Sequence, residues 1–162
     1  MEQSKAIRMK ILSCRYDVEE AFFSSISDTD EEIEGEQSFD EEDNIELYTE
    51  GTMTVSDGCV TLSYEETELT GMEGSETVVS FSVSEPGLVS MYRSGSVSTT
   101  LVFERGKRHH CIYQTPIMPF EIGVRTYAVD NRILTEGTLF LDYVVEIRGA
   151  KAERTHFTLR IL

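Results

Sequence analysis

Apolar residues recur at every second position through most of this chain. In residues 6–17, Ile7, Met9 and Ile11 share one face, because side chains along an extended strand repeat with period two. From residue 45 onward one such run follows another. Ile45, Leu47, Thr49, Gly51, Met53 and Val55 align, then Val60, Leu62, Tyr64 and Glu66, then Thr77, Val79, Phe81 and Val83. Val89, Met91 and Arg93 come next, and His109 shares a face with Cys111. Phe120, Ile122, Val124 and Thr126 follow, and Ile133 to Ile147 reads as one long strand with Leu139, Leu141, Tyr143, Val145 and Ile147 together. Phe157, Leu159 and Ile161 close the series. Ser56-Asp57-Gly58, Glu85-Pro86-Gly87 and Asn131 read as turns, through the glycine, proline and Asx preferences of tight reversals.

The pattern predicts about ten short strands and no strong helix after residue 45. Strands with one apolar face pair antiparallel. Sequential hairpins of this kind close as a barrel or stack as a sandwich. Gly51, Gly123 and Gly137 fall inside predicted strands, which favours a barrel, where glycine permits sharp coiling. The expected fold is all-β: a single antiparallel closed β-barrel, calycin- or lipocalin-like, of about eight to ten strands.

One segment breaks the alternation. Residues 19–43 hold twelve acids and no Lys or Arg. The chain's net charge of −16 therefore sits mostly there, since the other residues set 18 acids against 14 bases. Self-repulsion and thin apolar content make it a flexible acidic insertion within one domain spanning 1–162. It lacks the spacing and glycine of an EF-hand loop. Without a basic face, nucleic acid is not an expected partner. Cys14, Cys59 and Cys111 are odd in number and far apart, so a reducing compartment is expected rather than a disulfide framework. No leader pattern and no apolar run near 18 residues is present, so no membrane association is expected and cytoplasm is the expected location.

Several of these segments, taken together, resemble the YwiB-like family of small bacterial proteins. They are Tyr64-Glu65-Glu66, Thr77, Met91-Tyr92-Arg93-Ser94-Gly95, Leu101-Val102-Phe103-Glu104 and Tyr113-Gln114-Thr115-Pro116. Val124-Arg125-Thr126 and the run from Gly137 to Tyr143 continue the likeness. It covers residues 60 to the end, with weaker agreement over the first strand. The resemblance implies a calycin-type barrel and supplies no activity. Two departures stand out: the acidic segment at 19–43, and Ile117-Met118-Pro119, where a glycine is expected after Pro116.

Polar residues in phase with the core set are the candidate site. Arg93, Glu66, Tyr64, Thr77, Thr126 and Tyr143 are all predicted to face inward. An inward arginine needs a partner, because an unpaired buried charge is costly. Glu66 is the nearest acid in phase. Either the two form an ion pair that plugs the interior, or Arg93 meets an anionic or carbonyl group of a ligand.

The other constellations carry less. His109-His110-Cys111 lacks the further ligands that zinc requires, and Arg105, Lys107 and Arg108 crowd it with positive charge, so no metal and no cofactor is expected. No serine lies in a Gly-x-Ser-x-Gly elbow, and Glu65, Glu66 and Glu68 alternate faces, which is poor geometry for shared acid–base work. The reading is a binding module holding a small, partly apolar or anionic ligand, with an enzyme only the third reading. The alternative is a structural or interaction protein with a filled core. Val78, Leu88, Leu101, Phe103 and Phe140 are predicted on the face opposite the core, and an apolar outer face wants cover, so a homodimer is the expected assembly.

Overall fold

The computed structural model describes residues 2–17, 41–66, 74–95, 98–147 and 152–162. Ten strands follow in chain order: β1 (Gln3–Asp17), β2 (Glu41–Ser56), β3 (Cys59–Glu65), β4 (Glu76–Ser82), β5 (Glu85–Ser94), β6 (Ser98–Glu104), β7 (Arg108–Gln114), β8 (Phe120–Arg132), β9 (Thr138–Ile147) and β10 (Ala152–Ile161). A single helical turn, α1 (Ile133–Glu136), joins β8 to β9. Each strand pairs antiparallel with its chain neighbours, and β10 returns to β1. The sheet is thus a closed barrel, which leaves no edge for unwanted pairing.

The period-two reading decides which residues fill it. Met9, Val60, Leu62, Val79, Val89, Met91, Leu139, Leu141 and Leu159 are fully buried, as the alternation requires. The two-residue turn Asp57-Gly58 has positive φ at both positions, 49° and 75°, the twist that matches a right-handed hairpin. Gly51 lies where β1 and β3 approach β2: a Cβ there would strike the Ser63 carbonyl and the Met9 methyl.

The structure corrects the sequence reading at four places. Leu101 and Phe103 belong to the core, not the outer face, because β6 registers Leu101 against Met91 and Phe103 against Val89. Paired residues in an antiparallel ladder share a face. Val83 is exposed, since the chain reverses at Val83-Ser84, before the Glu85-Pro86-Gly87 signal, with a register slip beside Phe81. Ile133 to Glu136 is α1 rather than strand, and Gly137 is its left-handed cap at φ 72° rather than a mid-strand glycine. Its amide bonds back to the Arg132 and Ile133 carbonyls. Glu41 to Asp43 lie within β2, so the acidic segment contributes its last residues to the barrel; the rest of 19–43 falls outside the described residues.

The two ends of the barrel differ. At one end the connections are short: Asp57-Gly58, Val83-Ser84, the turn at Arg105-Gly106, and α1. Ile133 of α1 is buried and caps that end. At the other end lie the connections β1–β2, β3–β4, β5–β6, β7–β8 and β9–β10. Polar inward residues concentrate at this second end, the mouth.

Candidate functional site

Arg93 is the last inward residue of β5, between Thr77 of β4 and Thr99 of β6 in the ladder. Its side chain is 14% exposed, and that of Glu66, just past β3, is 2% exposed. Arg93 Nε stands 4.0 Å from Glu66 Oε1, an ion pair too long to be a hydrogen bond. The Thr77 hydroxyl donates to the same carboxylate oxygen at 2.6 Å. The Glu66 amide bonds the Ser75 carbonyl at 2.7 Å, which holds the carboxylate inward after the strand has ended.

Two buried polar atoms at this site have no hydrogen-bond partner among the described residues: Arg93 Nε and Thr99 Oγ1. They are cross-strand neighbours, and both residues line a cavity of about 430 Å³. Leu101, Tyr113, Ile122, Tyr143, Val145, Ile147 and Thr155 form its walls, with Arg15 and Glu153 also on the lining. Arg15 Nε pairs with Glu153 Oε1 at 3.6 Å. A smaller recess of about 20 Å³ lies on the other side of Arg93, between Tyr64, Glu66, Arg15 and Phe157; that is room for one water-sized group.

Both nearby phenols are buried, and both titrate above their ordinary value. Burial is the first cause at Tyr64, reinforced by the Glu66 charge and opposed by Arg93 and Thr77. Burial also leads at Tyr143, opposed by Arg93, Arg15 and a hydrogen bond with Thr155. Both therefore stay protonated at neutral pH and present O–H groups.

Of the six residues predicted, the structure gathers Arg93, Glu66, Tyr64, Thr77 and Tyr143 at the mouth. Thr126 is buried as well and pairs with Tyr143 across the β8–β9 ladder; its backbone bonds Gly106 and Lys107, and it is not among the residues lining the cavity. Arg15, Thr99, Glu153 and Thr155 join the site without having been predicted. Period two continued from Ile11 points to Arg15, and continued back from Phe157 it points to Thr155 and Glu153. Among the described residues, no group of three His, Cys, Asp or Glu side chains is placed to hold a metal ion, and no helix is long and apolar enough to cross a membrane.

Fold and site together define a closed ten-strand antiparallel barrel with a packed body and a polar-floored cavity at one end. Residues 32–159 match the family described as a domain of unknown function, DUF1934, and the chain belongs to that family. The crystal structure of the YwiB protein from Bacillus subtilis is similar, with a TM-score of 0.65 at 18% identity over 98% of this chain and 93% of that one. At that identity the likeness shows the fold alone. No curated protein matches.

Proposed function

We propose that this barrel binds a small, partly apolar, anionic ligand in its mouth, with no chemistry performed on it. The observation that carries the reading is the pair of unpartnered buried atoms, Arg93 Nε and Thr99 Oγ1, on a cavity of about 430 Å³, within the range of small-ligand pockets. A buried polar group left unbonded costs about 1–3 kcal/mol. A ligand oxygen placed between the two removes that cost. Leu101, Ile122, Val145 and Ile147 then face the ligand's apolar part, with Tyr143, Tyr64, Thr77 and Glu66 framing Arg93. Three cysteines with no disulfide among them fit a cytoplasmic setting.

A thermal-shift screen of aliphatic and aromatic carboxylates and other metabolite anions tests this, since a ligand that binds only the native state raises its stability. Thr99→Val is expected to leave the free protein as stable or more stable, because it deletes an unbonded hydroxyl, and to weaken a hit by roughly 5- to 10-fold. A screen without a hit, or a hit indifferent to Thr99→Val, would count against the mouth as the binding site.

A second reading, self-association, is favoured by one observation. Ile112 of β7 and Ile117 and Met118 of the β7–β8 connection are 58%, 91% and 63% exposed, three large apolar side chains close in sequence. A second copy covers such a patch in a homodimer. Light scattering is expected to give twice the 18.4 kDa of one chain, and Ile117→Asp with Met118→Asp is expected to return it to one. A monomeric parent protein sinks this reading.

A further inference from the structure

On the outer wall, behind Arg15, Thr155 and Tyr143 of the mouth, Cys14 of β1, His156 of β10 and Asp142 of β9 stand in one row. Cys14 pairs with His156, and His156 with Asp142, across adjacent strands. All three are half-buried. Directly opposed residues in such ladders carry Cβ atoms roughly 4.5–5.5 Å apart on the same face.

The Asp142 carboxylate stands 3.2 Å from His156 Nε2. A carboxylate only accepts hydrogen bonds, so it favours the neutral tautomer with the proton on Nε2 and the lone pair on Nδ1. The two nitrogens point to opposite sides of the imidazole. Cys14 is the ladder neighbour of His156 on its other side, in β1. Arg154 fixes the carboxylate from Nε at 2.9 Å and Nη2 at 2.7 Å. The imidazole lies between the rings of Tyr16, at 5.3 Å, and Phe140, at 5.9 Å. The thiol and the ring share no hydrogen bond in this structure, so their contact requires rotation about the cysteine Cα–Cβ bond.

We propose that Cys14 is a reactive thiol that takes up low-molecular-weight disulfides, with His156 as its base and Asp142 as the residue that positions His156. The thiol proton passes to His156 Nδ1 as the sulfur attacks one sulfur of the disulfide. The incoming S–S bond breaks, a mixed disulfide forms at Cys14, and the leaving sulfur takes the proton as a free thiol. One disulfide is lost and one gained, so the small disulfide is the only oxidant required. The other two cysteines are built-in controls. Cys59 is exposed but faces only Ser56 and Ser82 across its ladders. Cys111 is buried, and burial pushes its thiol up.

The test is to react the intact protein with a dipyridyl disulfide at pH 7 and follow each cysteine by peptide mapping. Cys14 is expected to react about tenfold faster than Cys59 despite its lower exposure, a modest general-base effect. His156→Gln is expected to erase that advantage and Asp142→Asn to reduce it, with Cys59 unchanged in both. Native Cys111 stays unreacted, so its labelling reports any variant that fails to fold, and the wild-type ratio then decides alone. The proposal is overturned if Cys14 reacts no faster than Cys59, or if folded His156→Gln keeps the wild-type rate.

Discussion

Arg93→Met is expected to destabilise the fold by about 3 kcal/mol, the lower end for breaking a buried ion pair, and to lower Tm by roughly 6–12 °C at this chain length. The loss arises at Glu66, not at Arg93. Its carboxylate is 2% exposed and is left with the Thr77 hydroxyl as its hydrogen-bond donor among the described side chains. Adding Glu66→Gln removes the stranded charge and keeps an acceptor for Thr77, so the double variant is expected to recover most of the loss. Denaturant melts of the parent, the two single variants and the double variant give the coupling directly. If Arg93 is held for a ligand instead, the single variant folds as well as the parent and loses the binding found by the screen. An Arg93→Met protein with parental stability and parental binding would refute both roles.

Phe103→Ala is expected to cost about 3–5 kcal/mol, as large-to-small changes in a packed core do. Phe103 is fully buried, and its ring centroid lies 4.5 Å from that of Tyr143. Deleting the ring opens a void between the packed body of the barrel and the floor of the mouth. An outward-facing phenylalanine changes stability by only about 0.5 kcal/mol when truncated, so the same measurement decides which face of β6 is inside. Val102→Ala, one residue away on the opposite face, is the control and is expected to cost much less.

That position also shows where sequence reading stops. Thr99, Leu101 and Phe103 interleave with Thr100, Val102 and Glu104, and with apolar residues at both parities the run does not declare its inner face. Register against β5 settles it, and register is a relation between strands that one strand's periodicity does not contain. In β3 one parity is apolar, so the inner face is legible, and with it Tyr64 and Glu66; in β5, Val89 and Met91 put Arg93 in phase although Leu88 and Tyr92 occupy the other parity. Arg15, Glu153 and Thr155 sit at strand ends, beyond the apolar run; period two extended from Ile11 and Phe157 reaches them, but no apolar residue there fixes the phase. Ile133-Leu134 looked like the start of a strand because both residues are apolar. The left-handed cap at Gly137 is a backbone conformation, and glycine permits it without announcing it.

The asymmetry between the two ends has a consequence for how this barrel tolerates change. At the capped end, two-residue reversals such as Asp57-Gly58 fix the register of the strands they join, so an inserted residue there would turn a whole strand inside out. At the mouth, every connection leaves its strand beyond the last core position. Residues gained or lost in those connections alter the rim while Met91, Leu141 and Leu159 stay where they are. The entrance is therefore free to diverge between relatives while the body that supports it holds still.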